Sequence, residues 1–386
     1  MSKVRAAVLV APGKYELTEF DRPKLEPGAL LMRMELSGIC GTDKHTYIGE
    51  TKQYAGTESE TDTPFPIIQG HENVGIVDEI SPEIAASGDF YQQRIKPGDR
   101  IVMCPDMVCG KCWYCTHIMG FPWCSQSQCY GNSFTSAEYP HLLGGWAEYM
   151  YLKPGTFFYK VPEAVDPKVA VLAELMACAA SLDKLKDFGS YSLEGFTTGD
   201  TVVVFGVGPL GLLHVAKLQI MGAGRIICID KSNYRLDIAK KLGADVVINA
   251  DVTSAEERLE LIRSMTRGLG ADVVLHMTNR PQPVIEGIEM LRRGGTLLEM
   301  GNFADTGEVA INIHRHICSK NIRLIGLTNH PIIGYGPSLR LFEKYADFVP
   351  FADIVTHEYG LADADAAMRT SMSPESGKVV INPWMS

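Results

Sequence analysis

The densest group of chemically capable side chains is a run of cysteines in the first third of the chain. Six of the ten cysteines fall between residues 104 and 129. A C-x2-C-x2-C spacing, with a fourth cysteine eight intervening residues later, comprises Cys109, Cys112, Cys115 and Cys124. Closely spaced thiolates can surround a tetrahedral Zn²⁺ and leave no open position, which is typical of a structural site. The spacing therefore predicts a structural zinc ion.

Disulfides and an iron–sulfur cluster are the alternatives. Disulfides would need export, and residues 1–10 are too short and too weakly apolar for a signal peptide, so a reducing cytoplasm is expected. A ferredoxin run also begins C-x2-C-x2-C, but its fourth cysteine follows after three intervening residues, where this chain has Met119. Zinc is favoured. Cys104 or Cys129 could replace Cys124 as fourth ligand, although both are more simply explained as buried or half-buried thiols.

A second group of metal-binding side chains lies nearer the N-terminus. Cys40 opens residues 40–45, and His71 and Glu72 follow a strand that looks buried. A cysteine, a histidine and a carboxylate from separate segments are typical of an open, catalytic zinc site. Taken singly, each has a simpler explanation as a packed thiol, a core imidazole or an ion-pair partner.

The third group is a glycine-rich turn at residues 206–211, which fits G-x-G-x-x-G. It follows an apolar, β-branched run, Thr201–Phe205, and opens a helical pattern, which is the context that a dinucleotide site requires. Gly206 makes the tight turn, Gly208 lets the backbone approach the pyrophosphate, and Gly211 allows close packing of helix against strand. The free N–H groups and the dipole of the helix N-terminus favour phosphate there.

The residues that follow refine the cofactor. Pro209 lacks an N–H, so Leu210 and Gly211 are the expected phosphate donors. The next strand ends at Asp230, 24 residues after the first glycine, where a carboxylate can bind a ribose diol and would repel a 2′-phosphate. NAD is therefore favoured over NADP. Lys231 and Arg235 are nearby cations that could contact the ribose or phosphate, or simply face solvent.

In their order along the chain, these motifs resemble the zinc-containing medium-chain dehydrogenase/reductase family. The resemblance spans nearly the whole chain and rests on residues 40–45, 70–72, 96–100, the four cysteines, 144–149, 173–175 and 206–211. It departs from the family at two places. The gap between Cys115 and Cys124 is one residue longer than usual, and the polar segment 50–63 is longer than in compact members.

The resemblance implies a ligand set for the catalytic zinc. Cys40 and His71 resemble its invariant ligands. Glu72 resembles the adjacent carboxylate, which can ligate the metal or stand just behind it. Glu174 resembles the glutamate of the polyol and threonine dehydrogenase branches, which can be the fourth ligand or hold a water molecule. The sequence leaves open which of Glu72, Glu174 and water completes the shell.

The resemblance also implies a route for the proton. Thr42 resembles the hydroxyl that accepts the substrate proton, and His45 resembles the distal relay to solvent. Asp43 resembles a residue that orients His71. Zinc would act as a Lewis acid on the alcohol, and the carbinol hydride would pass to the nicotinamide.

The elements that must position these residues fall into two patterns. Up to about residue 165, short apolar segments are punctuated by Pro-Gly turns, which predicts an antiparallel barrel or sandwich. A long helical pattern then covers 165–188. From residue 201, strand and helix patterns alternate, which predicts a doubly wound parallel sheet. A helix over 337–348 follows, and 377–382 is predicted to be a strand that completes the first sheet.

Together these observations predict an α/β protein of two domains. Residues 1–180 and 329–386 form a β-rich, GroES-like catalytic domain that binds zinc, and residues 181–328 form an NAD-binding Rossmann domain. The length of 386 residues agrees with two domains, and the formal net charge of −10 without a basic run argues against nucleic acid or an anionic membrane surface as partner. No apolar window is long enough for a transmembrane helix.

The predicted function is zinc-dependent hydride transfer from a secondary alcohol, polyol or hydroxy-amino compound to NAD, with the small-molecule alcohol as partner. A homodimer or homotetramer is expected by analogy with the family. The acids of segment 50–63 (Glu58, Glu60 and Asp62) could attract a cationic substrate, although a solvated loop is the simpler interpretation. The alternatives are a zinc-free quinone or enoyl reductase, which would lack the ligand set, and an NAD-binding redox sensor, which would need no proton relay.

Overall fold

The computed structural model describes residues 3–117, 123–186 and 195–385. Its strands, in chain order, are β1 (Lys3–Ala11), β2 (Lys14–Asp21), β3 (Leu30–Gly38), β4 (Lys52–Gln53), β5 (Thr61–Asp62), β6 (Ile67–Ile68), β7 (Glu72–Ile80), β8 (Arg100–Met103), β9 (Asp106–Met107), β10 (Gln128–Cys129), β11 (Tyr149–Leu152), β12 (Phe158–Lys160), β13 (Thr201–Phe205), β14 (Arg225–Asp230), β15 (Val246–Asn249), β16 (Ala271–His276), β17 (Leu291–Glu299), β18 (Arg323–Gly326), β19 (Val355–Tyr359) and β20 (Lys378–Ile381).

The α-helices are α1 (Gly41–Tyr47), α2 (Pro82–Ser87), α3 (Trp113–His117), α4 (Pro167–Ala170), α5 (Ala173–Ala179), α6 (Pro209–Met221), α7 (Asn233–Lys241), α8 (Ala255–Met265), α9 (Gln282–Met290), α10 (Tyr335–Tyr345) and α11 (Ala364–Met372). None of the helices in the described ranges combines the length and the apolar character needed to cross a membrane. The chain divides into two compact units: unit 1 comprises Met1–Ala177, His330–Phe348 and Val355–Ser386, and unit 2 comprises Cys178–Asn329 and Val349–Ile354.

Unit 1 is built on a seven-stranded sheet in the order β12-β8-β7-β3-β20-β19, with β11 also paired to β3, and on a three-stranded sheet β2-β1-β6. All pairings in these sheets are antiparallel except that of β19 with β20. The predicted C-terminal strand is confirmed: β20 joins the sheet by pairing with β3, with Val380 opposite Gly38. The core between the sheets includes Leu31, Met32 and Trp146, each fully buried.

Unit 2 is a six-stranded parallel sheet in the order β15-β14-β13-β16-β17-β18. The first two strands of this unit, β13 and β14, are nearly continuous apolar runs, because helices cover both faces of such a sheet. This strand order is that of a Rossmann fold, in which ligands bind outside the carboxyl ends of the strands where the order reverses. The strand order reverses between β13 and β16, and the glycine-rich turn follows β13.

Two expectations about local structure were wrong in detail. The helix over 165–188 is divided into α4, α5 and a 3₁₀-helix, Ala180–Lys186, and its last two residues lie outside the described ranges. Asp166 caps α4 by accepting the N–H of Lys168, and the chain re-enters helical structure at Ala173 after two buried residues. The segment 50–63 is not wholly a loop, because β4 and β5 pair in a short hairpin that the Lys52–Glu60 ion pair closes.

Candidate metal and dinucleotide sites

The structure brings together the four cysteines of the predicted structural site. The sulfur atoms of Cys109, Cys112, Cys115 and Cys124 all lie within 4.8 Å of one another. The Sγ of Cys115 lies 3.4 Å from that of Cys112 and 4.0 Å from that of Cys109. Four sulfurs around Zn²⁺ at about 2.3 Å would lie about 3.8 Å apart, which falls between these two distances. The donor set therefore fits a tetrahedral metal, including Cys124, despite the longer gap that precedes it.

Backbone N–H groups favour the thiolate form of Cys109, whereas burial raises the pKa of Cys115 to about 12 and also raises that of Cys124. The N–H groups of Lys111 and Cys112 point at the sulfur of Cys109 and lower its pKa to about 6. Cys104 and Cys129 lie outside this group of four. Burial raises the pKa of both thiols well above the usual range, as expected of packed cysteines.

The second group of donors forms where β3, α1 and β7 meet. Cys40 is the N-cap of α1, and its backbone N–H donates to Asp43 Oδ2 at 2.8 Å. His71 and Glu72 lie at the start of β7 and are almost completely buried. One donor atom from each of Cys40, His71 and Glu72 lies within 4.8 Å of the other two. A thiol, an imidazole and a carboxylate thus converge in the interior of unit 1.

The carboxylate of Glu72 is held by a lysine from the far end of the chain. Lys378 Nζ lies 2.7 Å from Oε1 and 2.5 Å from Oε2 of Glu72, and it also donates to the carbonyl of Ile39 at 2.9 Å. A Cβ on Gly38 would lie 2.0 Å from Oε2, so only glycine leaves room for this carboxylate. With both oxygens engaged, the arrangement favours Glu72 as a residue that stands behind a metal over Glu72 as a direct ligand.

His71 is set by its surroundings. Its Nδ1 lies 3.5 Å from Asn132 Nδ2 and 4.0 Å from Asp43 Oδ1. The latter distance is too long for a hydrogen bond, so Asp43 orients His71 only through its charge here, while it binds the Cys40 N–H directly. Burial lowers the pKa of His71, but the charges of Cys40, Asp43 and Glu174 and a hydrogen bond to Cys40 together raise it well above the usual value.

Glu174 lies in the first turn of α5 and is also buried. Burial, together with the charge of Glu72, raises the pKa of Glu174 to about 7. His330 Nδ1 lies 3.7 Å from its carboxylate, and the hydroxyl of Tyr335 lies 2.7 Å from Nε2 of the same ring. Burial lowers the pKa of His330 to about 3, so this imidazole is neutral and adds no charge beside Glu174.

Helix α1 places the two predicted relay residues on one face. Thr42 and His45 are three positions apart, and such residues are neighbours on a helix surface. Thr42 Oγ1 is buried and has no hydrogen-bond partner within the described ranges. His45 Nδ1 contacts the carboxylate of Glu50, and the His45 side chain is 18% exposed against 63% for Glu50. The Thr42 hydroxyl is thus buried, whereas the pair formed by His45 and Glu50 is in contact with solvent.

The glycine-rich turn has the close approaches that a dinucleotide loop requires. Gly206 has φ +88°, and a Cβ there would lie 2.9 Å from Thr278 Cγ2. A Cβ on Gly211 would lie 2.1 Å from the Gly206 carbonyl oxygen, so glycine is needed for α6 to pack against the turn. Gly208 is different, because nothing lies within 4 Å of its Cβ position. Its space is open to a ligand.

The start of α6 presents N–H groups beside this space. Gly208 is the N-cap and Pro209 the first helical residue. The first bond within the helix is donated by Leu212 to the Gly208 carbonyl, so helix geometry leaves the N–H groups of Leu210 and Gly211 pointing out of its end. These are the donors that the sequence predicts for phosphate.

Asp230 is fixed at the end of β14. Its two oxygens accept the N–H groups of Val207 and Ser232, each at 2.8 Å. The carboxylate is therefore tied to the glycine-rich turn itself. Lys231 pairs with Asp251 at 3.0 Å and is mostly exposed, whereas Arg235 is largely buried and its pKa is lowered by that burial.

Comparison with known proteins assigns the family. Two protein families match the chain. The alcohol dehydrogenase GroES-like domain family matches residues 26–163, and the zinc-binding dehydrogenase family matches residues 209–333. A 5-exo-hydroxycamphor dehydrogenase from Pseudomonas putida is 30% identical over 368 residues, covering 95% of each chain. This chain belongs to the zinc-containing medium-chain dehydrogenase/reductase family. An L-threonine 3-dehydrogenase from Pyrococcus furiosus is 30% identical and covers 98% of this chain and 99% of its own.

A solved structure agrees with this membership of the medium-chain dehydrogenases. An alcohol dehydrogenase from Thermotoga maritima superimposes with a TM-score of 0.88 at 30% identity, covering 99% of this chain and 100% of its own. The predicted fold class, a GroES-like domain with a Rossmann domain, is confirmed. Family membership also places the chain among oxidoreductases that act on alcohols.

Four residues of the site were not predicted. Lys378, Asn132, His330 and Tyr335 all contact the donor groups or their immediate neighbours. The only available signal was for Lys378, a single charged residue in the otherwise apolar strand Lys378–Ile381. The other three lie in turns or at helix starts, where no periodicity shows which way a side chain points.

Proposed function

We propose that the chain is a zinc-dependent dehydrogenase that oxidises a secondary alcohol, a polyol or a hydroxy-amino compound with NAD. Two features of the interior of unit 1 carry this proposal: Cys40 and His71 converge there, and the nearby Thr42 has a buried hydroxyl with no hydrogen-bond partner among the residues that the structure describes. A redox sensor would need the first feature but not the second.

The donor set fits a catalytic zinc ion. Cys40 and His71 are the first two ligands of the proposed site. We assign the third position to Glu174 or to a water molecule that Glu174 holds, because Lys378 occupies both oxygens of Glu72. When bound, zinc supplies the Lewis acidity that makes an alcohol acidic enough to ionise near neutral pH.

The residues around the donors prepare them for this role. Asp43 accepts the backbone N–H of Cys40 and so fixes the start of α1, from which Thr42 and His45 project. Thr42 would accept the proton of the substrate hydroxyl, and His45 would carry it towards solvent. Neutral His330 would hold the Glu174 carboxylate in place.

Unit 2 is the proposed dinucleotide-binding domain, corresponding to the expected 181–328, and unit 1 the catalytic domain, corresponding to 1–180 and 329–386. The open space at Gly208 and the N–H groups of Leu210 and Gly211 support a pyrophosphate position. The fixed carboxylate of Asp230 supports NAD, because a 2′-phosphate would be repelled there. Arg235 and Lys231 are the cations closest in sequence, and we propose that they contribute less than Asp230 to the choice of cofactor.

Turnover with a panel of secondary alcohols, polyols and amino alcohols, each read by NADH absorbance, tests the proposal. The Cys40→Ser and His71→Ala variants should lose turnover and one of about two zinc ions per chain, yet still bind NADH. Cys318→Ser, which changes an exposed cysteine in unit 2, is the matched control and should keep both. If no alcohol is oxidised with either NAD or NADP, the function is wrong, and one zinc per chain would favour the redox sensor.

Further parts of the proposal concern partners and setting. We propose a homodimer or homotetramer in the cytoplasm, which light scattering and cell fractionation would test. All ten cysteines are free thiols, as in a reducing compartment.

In the hairpin of segment 50–63, Glu60 is paired with Lys52, which leaves Glu58 and Asp62 as the acids that could attract a cationic substrate. An unchanged KM for amine-bearing substrates after replacement of the three acids would refute that attraction.

A further inference from the structure

The turn that follows α1 folds back onto His45. The N–H of Ile48 donates to the Lys44 carbonyl at 3.1 Å, and the N–H of Gly49 donates to the Thr46 carbonyl at 3.1 Å. The N–H of Glu50 then donates to the carbonyl of His45 itself at 2.9 Å. These three bonds reverse the chain at the end of the helix. As a result the Glu50 side chain lies beside the imidazole that it contacts.

We propose that Glu50 is the outer carboxylate of the proton relay, a positioning residue that sets the tautomer of His45 and passes its proton to water. The inference rests on the proposed function, and it adds a residue that no motif of the chain marks. Its structural basis is the direct contact between the Glu50 carboxylate and His45 Nδ1.

The contact with Glu50 determines which ring nitrogen of His45 carries the proton. A carboxylate only accepts hydrogen bonds, so the neutral ring carries its proton on Nδ1, where it can donate to Glu50. In this tautomer Nε2 carries the lone pair of the ring and can accept a proton. A histidine that must receive a proton from the Thr42 side of α1 needs this tautomer, and the reverse tautomer would present a second donor instead.

The proton transfer balances without electron movement. Thr42 receives the proton of the substrate hydroxyl and releases a proton in turn. His45 accepts a proton at Nε2 and becomes an imidazolium ion. The imidazolium gives up a different proton, the one on Nδ1, to Glu50. The Glu50 carboxyl group, with 63% of its side chain exposed, releases that proton to bulk water. His45 is left with its proton on Nε2, and proton exchange with water, in which Nδ1 regains a proton through Glu50 and Nε2 loses one, restores the starting tautomer before the next turnover.

A glutamate elsewhere in unit 1 offers a matched control. Glu163 is exposed and lies outside the proposed site, so Glu163→Gln makes the same change in charge and side-chain shape as Glu50→Gln. Glu50→Asp keeps the carboxylate on a shorter arm. Since Glu50 is exposed, none of these variants removes a buried group, and the fold should persist.

Proton release during a single turnover, followed with a pH-indicator dye, is the decisive measurement. We expect Glu50→Gln to slow proton release and alcohol oxidation about three- to tenfold at neutral pH, a fraction of the 10²–10⁴-fold typical of a whole acid–base catalyst. KM and NADH affinity should stay unchanged. Added imidazole should restore the rate, Glu50→Asp should retain part of it, and Glu163→Gln should match the wild type. Rates for Glu50→Gln within twofold of wild type, or a loss that imidazole does not restore, would overturn the proposal.

A second measurement does not depend on turnover. Nitrogen-15 NMR of labelled histidine at pH 8, with the His45 signals identified from a His45→Asn variant, reads the tautomer directly. We expect the proton on Nδ1 in the wild type and a shift of population towards Nε2 in Glu50→Gln. A wild-type His45 with its proton on Nε2 would overturn the role of Glu50 even if the chain oxidises alcohols. If His45 has the expected tautomer but the protein oxidises no alcohol, the proposed function is wrong and the contact between Glu50 and His45 is not.

Discussion

Replacement of Lys378 by methionine should destabilise unit 1 severely. Methionine has a similar length but no charge, so the Glu72 carboxylate would remain in the interior without a partner. Lys378 is 2% exposed and Glu72 is fully buried, so water cannot take the place of the ammonium group. Breaking a buried ion pair by removing one partner typically costs about 3–5 kcal/mol. The Ile39 carbonyl would also lose a donor, which adds about 1 kcal/mol.

A double variant separates the charge effect from the loss of packing. Glu72→Gln combined with Lys378→Met removes both charges and leaves an amide that can still hydrogen-bond. Replacement of a whole buried pair is often close to neutral, so we expect the double variant to recover at least about 2 kcal/mol of the loss. A single substitution that merely disturbed β20 would show no such recovery.

Tryptophan fluorescence during urea unfolding is the assay. All four tryptophans (residues 113, 123, 146 and 384) belong to unit 1, so the signal reports the unit in which the pair lies. A loss of less than about 1 kcal/mol in the free energy of unfolding of Lys378→Met, or a double variant less stable than the single variant, would contradict this expectation.

Three further predictions concern the other sites. Gly208→Ala should leave the thermal midpoint unchanged but weaken NADH binding at least about tenfold by calorimetry, because its Cβ would enter open ligand space, whereas Gly211→Ala should lower both. Cys124→Ser should reduce the zinc content from about two to about one per chain by elemental analysis, and Cys129→Ser should not. His214 is buried and its pKa is lowered to about 4, so the folded state stays neutral while the unfolded state binds a proton below about 6.5. Stability is therefore lost as the pH falls, and the free energy of unfolding of unit 2 by hydrogen exchange should drop by about 2 kcal/mol more in the wild type than in His214→Gln between pH 7 and 5.

The fold was largely predictable because its signals are local. The alternation of strand and helix patterns after residue 201 can be recognised from residues that are close in sequence. The glycine-rich turn between a strand and a helix also indicates a parallel sheet. The strand near the C-terminus was also predictable from its apolar run. The division of the helix over 165–188 was not, since the residues at the break have ordinary helix propensities and tertiary packing decides the matter.

The donor residues could be predicted from motifs, but the contacts that tune them could not. Cys40, His71 and the four clustered cysteines stand in recognisable spacings. Lys378 reaches Glu72 across 306 positions of sequence, and His330 reaches Glu174 from a turn between two elements. Such pairs depend on strand register and on side-chain direction, which only the folded chain specifies. The Glu50 contact is intermediate: the residues are close in sequence, but the turn that joins them has no marked signature.

The pairing of β20 with β3 also has a consequence for the protein while it is being made. Ribosomes add about 5–20 residues per second, so Lys378 is polymerised about 15–60 s after Glu72. During that interval a nascent chain displays Cys40, His71 and a Glu72 carboxylate that lacks its lysine. Glu72 therefore cannot reach its paired, buried state until β20 has been synthesised and has joined β3, and this part of the sheet closes late in the life of the nascent chain.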